Sequence, residues 1–240
     1  MSKKRVTKPI SASELMAHLN RDPEFVGRRM QRDEEFEALQ KRFIKAERPL
    51  VKALNESGAP IKSVWDLVNM KRTYPVAIPV LIEHLTLPYP YPIREGIARA
   101  LTTKESGDAG YRALVDEFRS LPESQDPAQH QFKWALGNAA SVVANKNNFD
   151  EIVDLVRDKR HGATRDMMVL RLPRLEPGKA VPVLIELLAD DDVAGFAVTA
   201  LGKLKAYEAR KGIERLLNHQ KLWVRKEAAK VLVKLGDETR

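Results

Sequence analysis

One helix-pair pattern recurs along most of this chain. The segment Ala-Ile-Pro-Val-Leu-Ile-Glu-His-Leu at 77–85 is matched by Ala-Val-Pro-Val-Leu-Ile-Glu-Leu-Leu at 180–188. Each is followed by a second stretch whose apolar residues recur at helical spacing. Such pairs follow one another from about residue 74 onward, with successive copies 29 to 38 residues apart. This pattern predicts a stack of helix pairs, because each repeat can bury its apolar face only against its neighbours.

The helices of successive pairs align on two apolar positions. The first helices align on Leu81, Leu114, Ile152, Leu184 and Ile213. The second helices align on Ile97, Leu136, Met168, Ala197 and Ala228, and the residue four further on is again apolar in each. More than three repeats are present, which is enough for a stable stack. We therefore expect an all-α fold, a right-handed α-solenoid of about five helix pairs over residues 73–240, with the last helix ending at Gly236.

A helical extension is predicted to precede the stack, over residues 11–72, after a flexible basic tail at residues 1–10. A capping box at 11–14 predicts a short helix as far as Leu19. Asp22-Pro23 then opens a long charged helix with a thin apolar stripe. Pro49 is expected to break or kink this helix, and a short helical piece then ends near Gly58.

The rest of the extension leads into the repeats. The stretch Ser63–Val68 is rich in apolar residues and predicts a small plug that joins the extension to the stack. The extension could cover the open face of the first repeat, or its long helix could dimerise, and the sequence leaves both open.

The bulk composition limits the classes of function. There are no cysteines, which excludes disulfides, thiolate zinc sites and cysteine nucleophiles and is consistent with a cytoplasmic protein. We find no signal peptide pattern and no apolar run of the roughly 20 residues that a membrane span requires. A net charge of +8 favours acidic partners, whether a nucleic acid, an anionic membrane face or an acidic protein, although it could also simply keep the protein in solution.

Two second helices resemble a known repeat family. Val224-Arg-Lys-Glu-Ala-Ala-Lys-Val-Leu-Val-Lys-Leu-Gly236 and Ile93-Arg-Glu-Gly-Ile-Ala-Arg-Ala-Leu101 are similar to the second helix of short HEAT repeats. The pairs around Leu114 and Ile152 follow that pattern less closely. The chain as a whole also resembles bacterial HEAT-repeat proteins. The resemblance implies an armadillo-like solenoid and no particular activity, because HEAT arrays serve very different tasks.

A cationic position recurs near the start of the second helices. It is occupied by Arg94, Lys133, Arg165, Ala194 and Arg225. We expect a ladder of ion pairs with acidic residues of the joints, for which Asp126, Asp158 and Asp190 to Asp192 are available. The joint before Arg94 contains no acid, so its charge is free for a ligand unless an adjacent repeat reaches it. In that joint Tyr89 and Tyr91 alternate with prolines and either stand exposed or cover the first repeat.

A second position on these helices is predicted to face outward and bind. It carries Glu95, Trp134, Asp166, Gly195 and Lys226, and four residues further on lie Arg99, Asn138, Leu170, Thr199 and Lys230. A tryptophan among polar residues on the concave side of a solenoid is a candidate contact point, although it could instead fold over a neighbouring repeat. The candidate partner-binding residues are thus Arg94, Arg99, Lys133, Trp134, Asn138, Arg165, Lys226, Lys230, Tyr89 and Tyr91.

The sequence contains no convincing catalytic or metal-binding pattern. The five histidines are dispersed, and glycines occur singly rather than in a phosphate-binding loop. We therefore expect a non-enzymatic scaffold, without metal or cofactor, that binds a protein or peptide partner, with nucleic-acid binding as the alternative. The HEAT-like alkylpurine DNA glycosylases combine concave aromatic residues with a catalytic Asp, whereas Asn138 lies one turn after Trp134 here. Related short repeats also occur in phycobilin lyases, but no nucleophile supports that role.

Overall fold

The computed structural model of this protein describes residues 10–122 and 124–236. The flexible tail predicted for residues 1–10 lies outside this part of the chain, except for its last residue. Helices α1 (Ala12–Leu19) and α2 (Pro23–Glu56) follow. Both begin as the sequence predicts: Ser11 and Glu14 form a reciprocal capping box, and Asp22 accepts the N–H of Glu24 at 3.0 Å.

Of the break or kink predicted at Pro49, the break does not occur, because α2 continues through that residue. Proline removes one hydrogen-bond donor from a helix and is normally unfavourable in its interior. Here Pro49 lies on the exposed side of the helix, whereas Leu50 and Leu54 are fully buried. Packing of these leucines holds the last two turns in register. The chain leaves the helix at Gly58, whose φ of +93° suits glycine.

The chain divides into two compact units, Met1–Ala46 and Glu47–Arg240. The second unit includes α3 (Val64–Val68), the predicted plug, which packs against the second helix of the first pair. Val64 and Leu67 are buried there. Glu47 fixes the start of α3, since its Oε1 accepts the N–H of Val64 at 2.6 Å and the hydroxyl of Ser63 at 3.0 Å.

Five helix pairs make up the rest of the second unit. They are α4 (Ile78–His84) with α5 (Tyr91–Ala100), α6 (Gly107–Ser120) with α7 (Pro127–Val143), α8 (Phe149–Arg157) with α9 (Asp166–Leu175), α10 (Pro177–Leu187) with α11 (Ala194–Leu204), and α12 (Arg210–Arg215) with α13 (Leu222–Leu235). Short 3₁₀ helices link them, at Pro75–Ala77, Lys104–Ser106, Lys146–Asn148, Lys159–Arg165, Tyr207–Ala209 and Leu216–Asn218. The described residues contain no strand.

The aligned apolar positions form the core of this stack. All five first-helix residues and all five second-helix residues of the alignment are fully buried. Four residues further on, Leu101, Ala140, Leu172 and Leu201 are also fully buried, whereas Leu232 of the last helix is half-buried. Each second helix packs on the next, in the order α5, α7, α9, α11 and α13. The fold is thus an all-α solenoid, as predicted, and α13 ends at Gly236 with a φ of +68°.

One close approach between elements requires a glycine. Gly137 lies inside α7, against the 3₁₀ helix Lys159–Arg165 of the next repeat. A Cβ atom at this position would lie 2.7 Å from the carbonyl oxygen of Thr164 and 3.3 Å from the Phe118 ring. Backbone atoms cannot move aside as a flexible side chain can, so the distance between α7 and the next repeat depends on this missing side chain.

Candidate interaction surface of the second helices

The recurring cations cap the first helices. Each cation donates a hydrogen bond to a backbone carbonyl at the end of the preceding first helix or in the turn that follows it. These bonds run from Arg94 Nε to Leu85 (3.1 Å), from Lys133 Nζ to Leu121 (2.6 Å), from Arg165 Nη1 to Val156 (2.7 Å) and from Arg225 Nη1 to His219 (2.6 Å). The last carbonyls of a helix lack partners within the helix and carry its partial negative charge. A cation is therefore favourable there, although Arg94, Lys133 and Arg225 belong to the second helices and Arg165 directly precedes one.

Arg94 corrects the prediction of a free charge in the first joint. Glu117 of the following repeat reaches it, with 2.5 Å between Arg94 Nη2 and Glu117 Oε1. Its guanidinium also lies over the Phe132 ring, 4.6 Å from the centroid. Because both charged side chains are almost fully buried, Arg94 belongs to the joint between two repeats and is not open to a ligand.

Arg165 and Lys133 are likewise interior residues. Arg165 is 0% exposed and pairs with Asp190 at 3.0 Å, as the ion-pair ladder predicts. Lys133 is 1% exposed and lies over the Phe118 ring, 5.2 Å from its centroid. Both were candidates for partner binding, and burial places both in the core of the stack instead.

Two other acids of the joints, Asp126 and Asp158, do not pair with the recurring cations as the predicted ion-pair ladder requires. Asp158 pairs with the exposed Arg160 and not with a cation of the recurring position. Hydrogen bonds from Arg160 hold the pKa of the Asp158 carboxyl well below its usual range. Asp126 instead caps α7, where it accepts the N–H of Ala128 at 2.9 Å.

Trp134 lies at the centre of a polar cluster on the second helices α5, α7 and α9. Its indole Nε1 donates to Asp166 Oδ2 at 3.0 Å, and the ring is half-buried. The Arg99 guanidinium lies over the ring, 5.5 Å from the centroid, and pairs with Glu95 at 2.7 Å. Gln131 completes the row with a 3.4 Å contact to Glu95. The indole is thereby fixed at one edge by a hydrogen bond and on one face by a cation.

Asp166 is the partner of Trp134 in this cluster, and the sequence analysis did not select it as a candidate. Burial raises the pKa of its carboxyl, against the lowering effect of the Trp134 hydrogen bond. The signal was present, because Asp166 occupies the same aligned position as Trp134 in the next repeat. Only the packing of α7 against α9 shows that these aligned positions touch, so that the aromatic residue and the carboxylate form one pair.

Tyr89 and Tyr91 are half-buried, and each packs against another ring. The Tyr89 hydroxyl lies 2.8 Å from His84 Nδ1, and the two rings stack. Tyr91 stacks on Phe132 of the following repeat, with 5.8 Å between centroids. Of the two alternatives for these tyrosines, covering the first repeat therefore describes their contacts better than exposure on a ridge.

The remaining candidates lie on accessible parts of the same face. Asn138 is half-buried, and its carbonyl accepts the Ser141 hydroxyl at 2.7 Å. Lys226 is exposed, and the exposed Lys230 pairs with Glu227 at 3.1 Å. Asn138 lies on α7 with Trp134, in the second helix pair, whereas Lys226 and Lys230 lie on α13, in the fifth.

Trp223 is a second aromatic residue of this face that the sequence analysis did not select. It is 44% exposed and lies against Gly195, where any Cβ atom would overlap its ring. It also contacts Phe196 edge-on, with 5.1 Å between the ring centroids. The glycine at the aligned position of Trp134 thus makes room for a tryptophan from the next repeat.

No group of three or more metal-ligating side chains occurs within residues 10–122 and 124–236. His161 is buried, its Nδ1 has no hydrogen-bond partner among the described residues, and its ring lies 4.6 Å from that of Phe118. Burial and the nearby Lys133 lower the pKa of His161 to about 4. Among the described residues, no helix is long and apolar enough to span a bilayer.

Comparison with known proteins finds a family match in the last two helix pairs. The family model of HEAT repeats matches residues 181–240. None of the curated proteins matches the chain. Among solved structures, the chain is similar to the designed armadillo repeat protein YIII(Dq)4CqI, with 15% identity and a TM-score of 0.38, over 78% of this chain and 98% of the other. The last two helix pairs are therefore similar to HEAT repeats.

Proposed function

We propose that this protein is a non-enzymatic interaction scaffold that binds a partner protein on the face formed by its second helices, centred on Trp134. In stacked helix pairs this is the concave face, which repeat proteins use for binding. The observation that carries the proposal is the Trp134 cluster. There a half-buried indole keeps part of its ring accessible while Asp166 and Arg99 fix its position.

A fixed aromatic ring favours binding for an energetic reason. Side chains that are immobilised only on binding lose conformational entropy, and this loss weakens the complex. The Trp134 indole is already held, and its N–H has a partner in the free protein. Tryptophan and arginine are also the residue types most enriched at positions that dominate protein interfaces. Trp134 and Arg99 therefore supply a prepared contact point for a partner.

Nucleic-acid binding is the alternative function, and a test has to distinguish it from protein binding. The contacts of this face favour it less, because Arg94, Arg99 and Arg165 already have carboxylate partners within the protein. Cations that bind phosphates would have to give up these pairs. Asp166 is similarly engaged, since it accepts the Trp134 indole and a backbone N–H. We therefore assign no DNA glycosylase activity to the Trp134 and Asp166 pair.

The test is capture of partners from native extract, with and without nuclease, by wild-type protein and by a Trp134→Ala/Arg99→Glu variant. Tyr207→Ala/Lys211→Glu is a matched control, because it removes an exposed aromatic ring and reverses one exposed cation on the first-helix side of the fifth pair. Circular dichroism establishes that each variant is folded, and Trp134→Phe provides a milder change that keeps an aromatic ring but makes it smaller and removes the N–H.

We expect a protein that resists nuclease treatment, is kept by the control and is lost with the Trp134 variant. Recovery of nuclease-sensitive material alone would replace the proposal with nucleic-acid binding. Partners that bind the folded Trp134 variant as well as wild type would show that another surface of the protein is used.

A further inference from the structure

A basic cleft lies at the C-terminal ends of α7, α9 and α11. It has a volume of about 390 Å³, and its lining includes Arg171, Arg174 and Lys203 and no carboxylate. Val142, Leu170 and other apolar residues line the rest of it, and Val142 is 37% exposed. The cleft is separate from the Trp134 cluster, since it shares no residue with it.

The three cations of the basic cleft differ from the arginines that pair across neighbouring repeats. Arg94, Arg119 and Arg157 each pair with a glutamate of the following repeat at 2.5–2.8 Å. Within the part of the chain that the structure describes, Arg171, Arg174 and Lys203 have no acidic partner at ion-pair distance. Their charges are therefore uncompensated in the free protein, and the potential in the cleft is positive.

Arg171 shows this lack of compensation most clearly. Its Nη2 donates to the Ala144 carbonyl at 2.7 Å, but its buried Nε has no partner among the described residues. Burial lowers the pKa of this guanidinium, and the neighbouring Arg174 lowers it further. The helix dipoles favour a cation in the last turns of α9 and α11, where Arg174 and Lys203 lie. Arg171 lies at a third helix C-terminus, because its acceptor Ala144 directly follows α7, and no carboxylate joins the three cations in the lining.

The apolar lining decides between the two kinds of acidic ligand. Single-stranded nucleic acids bind by stacking bases on aromatic side chains, and no aromatic residue lines this cleft. Val142 and Leu170 offer an aliphatic surface between the cations, which suits a leucine or isoleucine side chain flanked by carboxylates. We propose that the basic cleft binds an acidic amphipathic segment of a partner protein, with carboxylates at Arg174 and Lys203 and an apolar side chain against Val142 and Leu170. This inference deepens the proposed function and rests on it.

The test uses a fluorescein-labelled peptide of three Leu-Glu-Glu repeats, with binding to the full chain followed by anisotropy. Arg174→Glu/Lys203→Glu reverses two charges of the cleft and leaves the Arg171 bond to Ala144 in place. Lys211→Glu/Arg215→Glu is the control, since it makes the same change in net charge on exposed residues of α12, one of them also in a last turn. Arg174→Gln/Lys203→Gln is a milder variant in case the reversal impairs folding.

We expect the cleft variant to bind the peptide at least about tenfold more weakly than wild type, and the α12 variant to bind it within about twofold. A peptide with serine in place of leucine should bind wild type more weakly than the parent peptide. An equal loss of peptide affinity in the cleft and α12 variants would overturn the proposal, and so would the absence of peptide binding by wild type. Tighter binding of an oligodeoxythymidine than of the peptide would assign the cleft to nucleic acid instead.

The two proposals can fail separately. If the cleft variant binds the peptide normally while the Trp134 variant loses its captured protein, only the cleft assignment falls. If the Trp134 variant keeps every captured protein but the peptide binds at the cleft, only the assignment of partner binding to the Trp134 cluster falls.

Discussion

Arg165 joins three segments of the chain through one guanidinium group. It donates to the carbonyls of Val156 and Gly162, each at 2.7 Å, and to the carboxylate of Asp190 at 3.0 Å. The side chain is fully buried, so these bonds replace part of the water that the charge loses on folding, while Nη2 has no hydrogen-bond partner among the described residues. A buried charge of this kind adds little stability over an apolar residue, but removing one partner leaves the other uncompensated.

Replacing Arg165 by alanine is therefore expected to lower the free energy of unfolding by about 3–5 kcal/mol, because Asp190 stays buried without its cation. Urea denaturation measures this change. Arg160→Ala is the control, since this exposed arginine also pairs with an aspartate, Asp158, and its removal should cost less than about 1 kcal/mol. Equal small losses in both variants would contradict the role assigned to Arg165.

His161 is expected to make stability depend on pH. Its pKa of about 4 in the folded protein lies below the ordinary 6.5, because burial and the cations Lys133, Arg160 and Arg165 disfavour the proton more than Asp158 favours it. The unfolded chain therefore binds the additional proton between these two values. The contribution of His161 to the free energy of unfolding is fully present above pH 6.5 and is lost as the pH falls toward 4.

The measurement compares wild type with His161→Gln by urea denaturation between pH 7.5 and 4.5. The difference in free energy of unfolding between wild type and His161→Gln should be constant above pH 7. Between pH 7 and pH 4.5, wild type should lose on the order of 2 kcal/mol more than the variant. A difference that does not vary with pH would mean that His161 titrates normally in the folded protein.

At the scale of helices, the contact between α7 and the next repeat depends on Gly137. Gly137→Ala is expected to lower the free energy of unfolding by about 1–3 kcal/mol, because the new methyl group meets the Thr164 carbonyl. The better helix propensity of alanine, about 1 kcal/mol, offsets only part of this loss. Thermal or urea denaturation provides the measurement.

Gly178→Ala is the matched control for this prediction. Gly178 lies in the first turn of α10, where an added Cβ meets no atom within 4 Å. This variant should be as stable as wild type or slightly more stable. If the two glycine variants change the free energy of unfolding equally, the close approach at Gly137 does not affect stability.

The helices themselves were predictable from the sequence, and most contacts between them were not. Apolar residues at helical spacing have to be buried, so Leu81 and Ile97 could be placed in the core from the pattern alone. Pro49 was misjudged because a local preference for breaking the helix is overruled by the packing of its neighbours. Local rules do not include the tertiary contacts that decide such cases.

The candidate site was less predictable for the same reason. Trp134 was found because a tryptophan stands out at a polar position. Its partner Asp166 lies 32 residues away, and Glu117, which neutralises Arg94, is separated from it by 23. The alignment of repeats shows which residues are equivalent, but the side chain that reaches across to the next repeat depends on the spacing between the helices.

At the scale of the whole molecule, protection of the stack should vary along the second unit. Helix α7 packs against α5, α6 and α9, whereas α13 packs mainly against α11 and α12 and leaves Val233 81% exposed. In a repeat array each pair is stabilised chiefly by its neighbours. We expect amide hydrogen exchange, followed by mass spectrometry, to be slowest in α7 and faster in α13. Equal protection of all second helices would indicate a single cooperative unit.

The bonds of the recurring cations also bear on how such an array can evolve. Arg94 of the first pair depends on Glu117 of the second, and Arg165 of the third depends on Asp190 of the fourth. Arg225 of the fifth finds its acceptor carbonyls, at His219 and Gln220, within its own pair. Recombination that separated the first pair from the second, or the third from the fourth, would strand a buried charge. Helix pairs joined by such a buried ion pair are therefore expected to be gained or lost together, whereas Arg225 places no such constraint between the fourth pair and the fifth.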